Sequence, residues 1–172
     1  ATHHAARRYK ALPGLAYRIL YPHEAGEGGC RAVDLDRYPK SRAYLNRHRK
    51  RLQRREYLSR AGRQWYEIWV AQEPGLWRRP KLVFPDISAR SAFWMDLDGS
   101  IVNGDCYWIL QRPGLSSETL WLALGVANSS LVERYYDILF PNRLYAGRRR
   151  FIKQYVERFP LPRAMESARR TA

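Results

Sequence analysis

The sequence predicts one α+β domain, and three observations carry that expectation. The chain has 172 residues of which 45% are hydrophobic, the size and apolar content of one ordinary core. Short runs of strand-forming residues bounded by Gly and Pro are interspersed with stretches whose apolar residues recur every three to four positions. No internal repeat and no long linker divides the chain. The expected architecture is therefore a small central β-sheet with hairpins, a basic helix in the N-terminal half and two helices in the C-terminal half.

Taken in order, residues 1–14 read as a flexible arm or an appended remnant, 15–162 as the domain, and 163–172 as a tail. Leu15 to Tyr21 is a short apolar strand stopped by Pro22 and a turn rich in Gly26, Gly28 and Gly29. Pro39 stands near the first position of a helix, with Asp36 available near its cap. Tyr44, Leu45, His48 and Leu52 give that helix a narrow apolar stripe as far as Arg55. Gly62 ends the region. Trp65 to Val70 reads as a strand, and so does Lys81 to Phe84 between Pro80 and Pro85. Phe93 to Leu97 and Ile101-Val102 flank Asp98-Gly99 as a hairpin, and Asp105 to Leu110 continues as another strand. Ser116 or Ser117 caps a helix to about Asn128, and Leu131, Val132, Tyr135, Tyr136 and Leu139 mark a second before Pro141. Phe151 to Val156 is a last short segment before Phe159-Pro160-Leu161-Pro162.

Composition excludes several classes. With 13% aromatics, including six Trp and twelve Tyr, a disordered basic tail is not expected. No apolar run approaches the roughly 20 residues needed to cross a bilayer, and no signal peptide opens the chain. A cytoplasmic location with no membrane partner is expected. Cys30 and Cys106 lack a CxxC pattern and read as reduced buried thiols. The first residue is alanine, which predicts an excised domain.

Charge is the strongest functional signal. The chain holds 31 Lys and Arg against 16 Asp and Glu, a net of +15. Residues 37–63 alone carry eleven basic groups and one acidic (Glu56), a net of +10, and residues 143–172 carry nine and two, a net of +7. The middle, 64–142, is slightly acidic and aromatic. Such clustering points to a polyanion partner. Arginine predominates over lysine, and its planar fork pairs with phosphate or with the guanine edge.

The candidate phosphate contacts on the basic helix are Arg47, Arg51, Arg54 and Arg55. Arg148, Arg149 and Arg150 open an exposed loop and form a second candidate. The loop Asp86-Ile87-Ser88-Ala89-Arg90 carries side chains that read base edges, Ser88 and Arg90 above all, since Arg bonds guanine and Ser bonds either partner. Trp65, Tyr66 and Trp69 invite comparison with base-stacking platforms, but alternation along a strand makes them core residues instead.

Seven fragments in fixed order then resemble one family. They are AYRILYP (Ala16 to Pro22), YPKSRAYLNRHRKRLQRR (Tyr38 to Arg55), WYEI (Trp65 to Ile68), RRPKLVFPDIS around Lys81 to Ser88, VNGDCYWI (Val102 to Ile109), LWLALGVANSSLVERYY (Leu120 to Tyr136) and FPLP (Phe159 to Pro162). The chain resembles the TaqI-like C-terminal specificity domain of adenine-specific DNA methyltransferases and fused restriction–modification enzymes. That resemblance implies a target-recognition domain that clamps double-stranded DNA while a separate or fused catalytic domain, holding S-adenosylmethionine, flips out and methylates an adenine. It also places Lys81 near DNA.

Nothing in the chain reads as catalytic. It contains no Asn-Pro-Pro-Tyr motif for a flipped adenine and no Gly-rich loop after a strand for the cofactor. Pro85-Asp86 begins a nuclease-like pattern, but Asp96-Leu97-Asp98 is not followed by the lysine that pattern requires. His3, His4, His23 and His48 have no ligand spacing, and Asp96, Asp98 and Asp105 lack the placement of a calcium loop. No catalytic residue, cofactor site or metal site is expected in this chain. The alternatives are an RNA-binding domain, for which the reading aromatics are missing, and a small metal-dependent nuclease.

Overall fold

A computed structural model of the chain describes residues 2–12, 18–102, 104–116, 118–140 and 143–162. It shows the α+β class that the sequence predicts, arranged as two compact units: Ala16–Trp77, and Ala1–Leu15 with Arg78–Ala172.

In the first unit, strands β1 (His23–Gly26) and β2 (Gly29–Ala32) form an antiparallel hairpin with Gly26 opposite Gly29. Gly28 at φ 79° and Gly29 at φ 132° make this turn, a conformation that L side chains rarely adopt. Residues 18–21, the described part of the expected first strand, are not in a strand.

Three short helices follow: α1 (Pro39–Arg47), α2 (Arg49–Gln53) and α3 (Glu56–Arg60). Pro39 takes the first helical position as expected, while Asp36 pairs with Arg42 at 2.6 Å. The single helix expected from Pro39 to Arg55 is thus broken at His48 (φ −105°, ψ 5°) and again at Arg54-Arg55. Like charges four apart, Arg47/Arg51, Lys50/Arg54 and Arg51/Arg55, weaken a continuous helix there.

Trp65 to Val70 is not a strand either. Arg55 donates to the carbonyls of Trp65 (2.7 Å), Glu67 (3.1 Å) and Leu52 (3.1 Å), and Arg63 to those of Ile68 (3.2 Å) and Trp69 (2.6 Å). Guanidinium groups occupy the acceptors that a neighbouring strand would have used. Trp65 and Tyr66 pack on Val33, Leu35 and Leu45 as expected of core residues, whereas Trp69 is exposed beside Tyr57 and Arg63. Helix α4 (Pro74–Trp77) closes the unit, with Trp77 edge-on to Tyr21.

The second unit is built on β3 (Lys81–Pro85), every residue of which is buried. It is followed by the two-residue strand β4 (Ile87–Ser88), then by β5 (Trp94–Asp96) and β6 (Cys106–Leu110). The sheet order is β5-β3-β6, antiparallel throughout. The expected hairpin of Phe93–Leu97 with Ile101-Val102 does not form, because β5 pairs with β3 and leaves Val102 to pack as a side chain.

Alternation along β3 sends Leu82 and Phe84 to one face. There they meet Phe93, Leu120, Leu124 and Ala127 of α5 (Glu118–Ala127), and Tyr136 of α6 (Ser130–Leu139). Val83 faces Trp94, Val102, Cys106 and Ala6 on the other side. Ser116 Oγ accepts from the Glu118 N–H, and Ser129 caps α6 by accepting from Val132. The alternative cap Ser117, the stop at Pro141 and the tail 163–172 lie outside the described residues. The unit ends with β7 (Arg149–Arg150), paired with β4, and α7 (Lys153–Val156).

Residues 2–12 are mostly exposed but tied to the rest of the second unit at a few points. The Tyr9 N–H donates to the Phe93 carbonyl at 2.8 Å, Ala6 is buried, and Arg8 pairs with Glu133 at 2.8 Å. The apolar side of β5 needs this cover, and Ala6 supplies it.

Candidate nucleic-acid interface

Two sequence segments sixty residues apart come together in the second unit. Ile87 lies opposite Arg150 and Ser88 opposite Arg149, so the loop expected to read bases and the arginine run form one antiparallel ribbon. Helix α6 anchors it: the Tyr136 hydroxyl donates to the Arg150 carbonyl, and Asp137 receives Arg149 through Nε and Nη2, each at 2.8 Å. The Phe151 N–H donates to the Asp86 carbonyl at 2.6 Å, joining β7 to the start of the 86–90 loop.

The side chains on this ribbon differ sharply in what they can reach. Arg90 is exposed, and its guanidinium has no partner among the described residues. The Ser88 hydroxyl donates to the Arg90 carbonyl at 2.6 Å, which closes the loop between them. Arg148 is exposed over the Tyr145 ring, 5.7 Å from its centroid. Arg150 is exposed with Nε 3.3 Å from both Asp86 oxygens, and that carboxylate raises the affinity of Arg150 for its proton. Arg149 is only 12% exposed. Its hydrogen bonds, reinforced by Arg143, hold the Asp137 carboxyl down to about 2.

In the first unit, Arg47, Arg51 and Arg54 point outward with no protein partner among the described residues, alongside exposed Arg49 and Lys50. Arg55 does not join them. It is turned inward, donating through Nε, Nη1 and Nη2 to three backbone carbonyls.

Comparison with known proteins decides the family. Residues 17–161 match the model of the TaqI-like C-terminal specificity domain. The chain belongs to that family. The specificity domain is 42% identical over 145 residues to the type II methyltransferase M.BanIII of Aneurinibacillus aneurinilyticus, covering 84% of this chain and 25% of that protein. It is 29% identical over 131 residues to the type II methyltransferase M.PaeR7I of Pseudomonas aeruginosa, covering 76% of this chain and 22% of that protein. With the type II methyltransferase M.XhoI of Xanthomonas vasicola it shares 28% identity over 144 residues, 84% of this chain and 25% of that protein. The specificity domain thus spans about a quarter of the length of these relatives.

Lys81, which the resemblance placed near DNA, is buried in the specificity domain. Its side chain is 0% exposed, with Nζ 2.5 Å from Asp96 and 5.9 Å from the centre of the Trp108 ring. Alternation puts Lys81 on the same face of β3 as Val83, the face covered by Trp94, Val102 and Trp108. The structure adds Tyr145, exposed at the tip of the loop between Arg143 and Arg149, which pair across an isolated bridge. Its signal in the sequence is Ala146-Gly147, both at positive φ, immediately before the arginine run.

Among the described residues of the specificity domain, no three His, Cys, Asp or Glu side chains come together as metal ligands, and no helix is long and apolar enough to cross a membrane. Cys30 and Cys106 are free thiols, and burial pushes Cys106 up to about 12.

Proposed function

We propose that this chain is the target-recognition domain of an adenine-specific DNA methyltransferase or restriction–modification enzyme. It binds double-stranded DNA by sequence and is not catalytic by itself. S-adenosylmethionine belongs to a catalytic domain that lies in the remaining three-quarters of a protein like the relatives, fused to this one and cytoplasmic. Family membership supports the role, and one observation favours sequence reading over mere charge attraction. In the β4–β7 ribbon Ser88 pairs with Arg149 and closes its hydroxyl onto the Arg90 carbonyl, while the Arg149 guanidinium is taken up by Asp137 and the Ala89 carbonyl, leaving Arg90 exposed on a held loop.

Two kinds of contact divide the work. Arg47, Arg51 and Arg54 offer cations to phosphates, which supplies affinity without sequence information. Arg90 offers a fork to a guanine edge, worth about 1–3 kcal/mol against a wrong base, with Ser88 beside it. Arg148 and Arg150 flank that contact and neutralise phosphates. Arg55 and Lys81 serve the fold.

The test is selection from a random duplex DNA pool against RNA competitor at two salt concentrations, with the bound DNA sequenced. A motif that survives the higher salt is the expected result, and Arg90→Ala shifts that motif more than it changes non-specific affinity. Preferential retention of the RNA competitor would overturn the reading.

A further inference from the structure

We infer that Asp137 is a positioning residue for sequence recognition, acting through Arg149 to fix the loop from Ser88 to Arg90 that chooses the base. The inference rests on the proposed base-reading role of that loop and adds the device that sets its geometry. Asp137 lies on α6, whose N-terminus is capped by Ser129 and whose Val132 and Tyr136 are buried in the core. Both Asp137 oxygens accept from Arg149, Oδ1 from Nε and Oδ2 from Nη2, and Oδ2 also accepts from Arg143 at 2.5 Å.

The far side of the same guanidinium completes the link. Arg149 Nη1 donates to the carbonyl of Ala89 at 2.5 Å, and Ala89 immediately precedes Arg90. One planar group therefore connects a rigid helix to the peptide that carries the reading side chain. The backbone of Arg149 is simultaneously paired with Ser88, and the Ser88 hydroxyl closes onto the Arg90 carbonyl. The loop is held at three successive residues, Ser88, Ala89 and Arg90, and two of those three ties come from Arg149.

Such fixing has a purpose that phosphate binding does not require. A fork that must meet two acceptors of one base needs its supporting backbone held to roughly 0.5 Å, and groups locked by packing and by neighbouring hydrogen bonds achieve this. A phosphate contact tolerates much looser placement, because a cation attracts it from any direction. Arg149 itself is too deeply covered to read a base, so its contribution passes through the loop it holds.

The experiment repeats the duplex selection with the 172-residue chain as wild type and as Asp137→Asn, Asp137→Glu, Arg149→Lys and Arg90→Ala, with the salt slope of non-specific binding measured for each. Asp137→Asn is expected to lose about tenfold in preference at the same base pair that Arg90→Ala affects, with the salt slope unchanged. Asp137→Glu, which keeps a carboxylate, partly restores the preference. Arg149→Lys keeps the charge but not the fork, and reproduces the loss if Asp137→Asn does not fold. A motif that Arg90→Ala erases but Asp137→Asn and Arg149→Lys leave intact overturns this inference alone. A wild-type chain that enriches no motif, or an Arg90→Ala chain with the wild-type motif, overturns the reading of the loop and this inference with it.

Discussion

Lys81 and Asp96 stand directly opposite each other on neighbouring strands, their charged groups 2.5 Å apart and their side chains 0% and 3% exposed. The pair sits at the end of β3 and β5 where an apolar pair would also fit. Removing one partner strands the other charge in the interior. Lys81→Met is therefore expected to lower the unfolding free energy by about 3–5 kcal/mol, whereas Lys81→Met with Asp96→Leu recovers most of it. Denaturant unfolding measures both. DNA affinity per folded molecule should not change, since Lys81 never meets solvent.

The arginines of the first unit separate by the same logic. Arg55→Ala leaves the part-buried carbonyls of Trp65 and Glu67 without its guanidinium, while that of Leu52 keeps the Arg55 N–H, at a cost of about 1–3 kcal/mol. Arg51→Ala with Arg54→Ala touches only exposed groups and should stay within about 0.5 kcal/mol of wild type in stability. That double variant instead lowers the salt slope of DNA binding by about 0.9 for each phosphate that is no longer neutralised. Thermal unfolding and salt titration of duplex binding together distinguish the two classes.

Asn128, 1% exposed, forms a two-way bridge to the residue that precedes β5. Its Oδ1 accepts from the Phe93 N–H at 3.0 Å and its Nδ2 donates to the Phe93 carbonyl at 2.9 Å, as a neighbouring strand would. Asn128→Asp retains the acceptor but loses the donor and buries a charge, so it should destabilise more than Asn128→Ala, itself about 1–3 kcal/mol. An Asp variant as stable as the Ala variant would contradict this bridge. Chemical denaturation of the two proteins decides it.

His23 supplies a pH dependence. Its Nε2 accepts from the Ile68 N–H at 2.9 Å, and burial lowers its pKa, opposed by Glu67 and assisted by Arg63. The folded pKa lies below the unfolded value of about 6.5, so on acidification the unfolded chain takes up the proton first. Stability contributed by neutral His23 is present above about pH 6.5 and is lost as the pH falls through that value toward the folded pKa. The unfolding midpoint should decline as the pH falls below about 6.5, and His23→Gln, which cannot titrate, should flatten that part of the curve.

Local rules carried much of the fold. Pro39 at the first helical position, β3 between Pro80 and Pro85, a serine bonding the first turn of α5, and the helices α5 and α6 themselves all follow from short-range spacing, and the structure contains each of them. So did the clustering of charge. What spacing cannot express is which partner satisfies a given group. Trp65 to Val70 has the composition of a strand, yet Arg55 and Arg63 occupy its carbonyls. Ile101-Val102 lost its place in a hairpin because β3 took the edge of β5.

Clustering of charge likewise put Arg55 and Arg149 with Arg47, Arg51 and Arg54 as candidates for DNA. Composition and order by themselves determined the class of the chain, its family and the two basic blocks. Tertiary structure alone decided that Lys81 is sealed against Asp96, that Arg55 and Arg149 hold backbone, and that Ser88-Arg90 and Arg148-Arg150 share one ribbon. The physical reason is that a cation's role depends on whether an acceptor lies within about 3 Å of it, and folding brings those acceptors from residues distant in the chain.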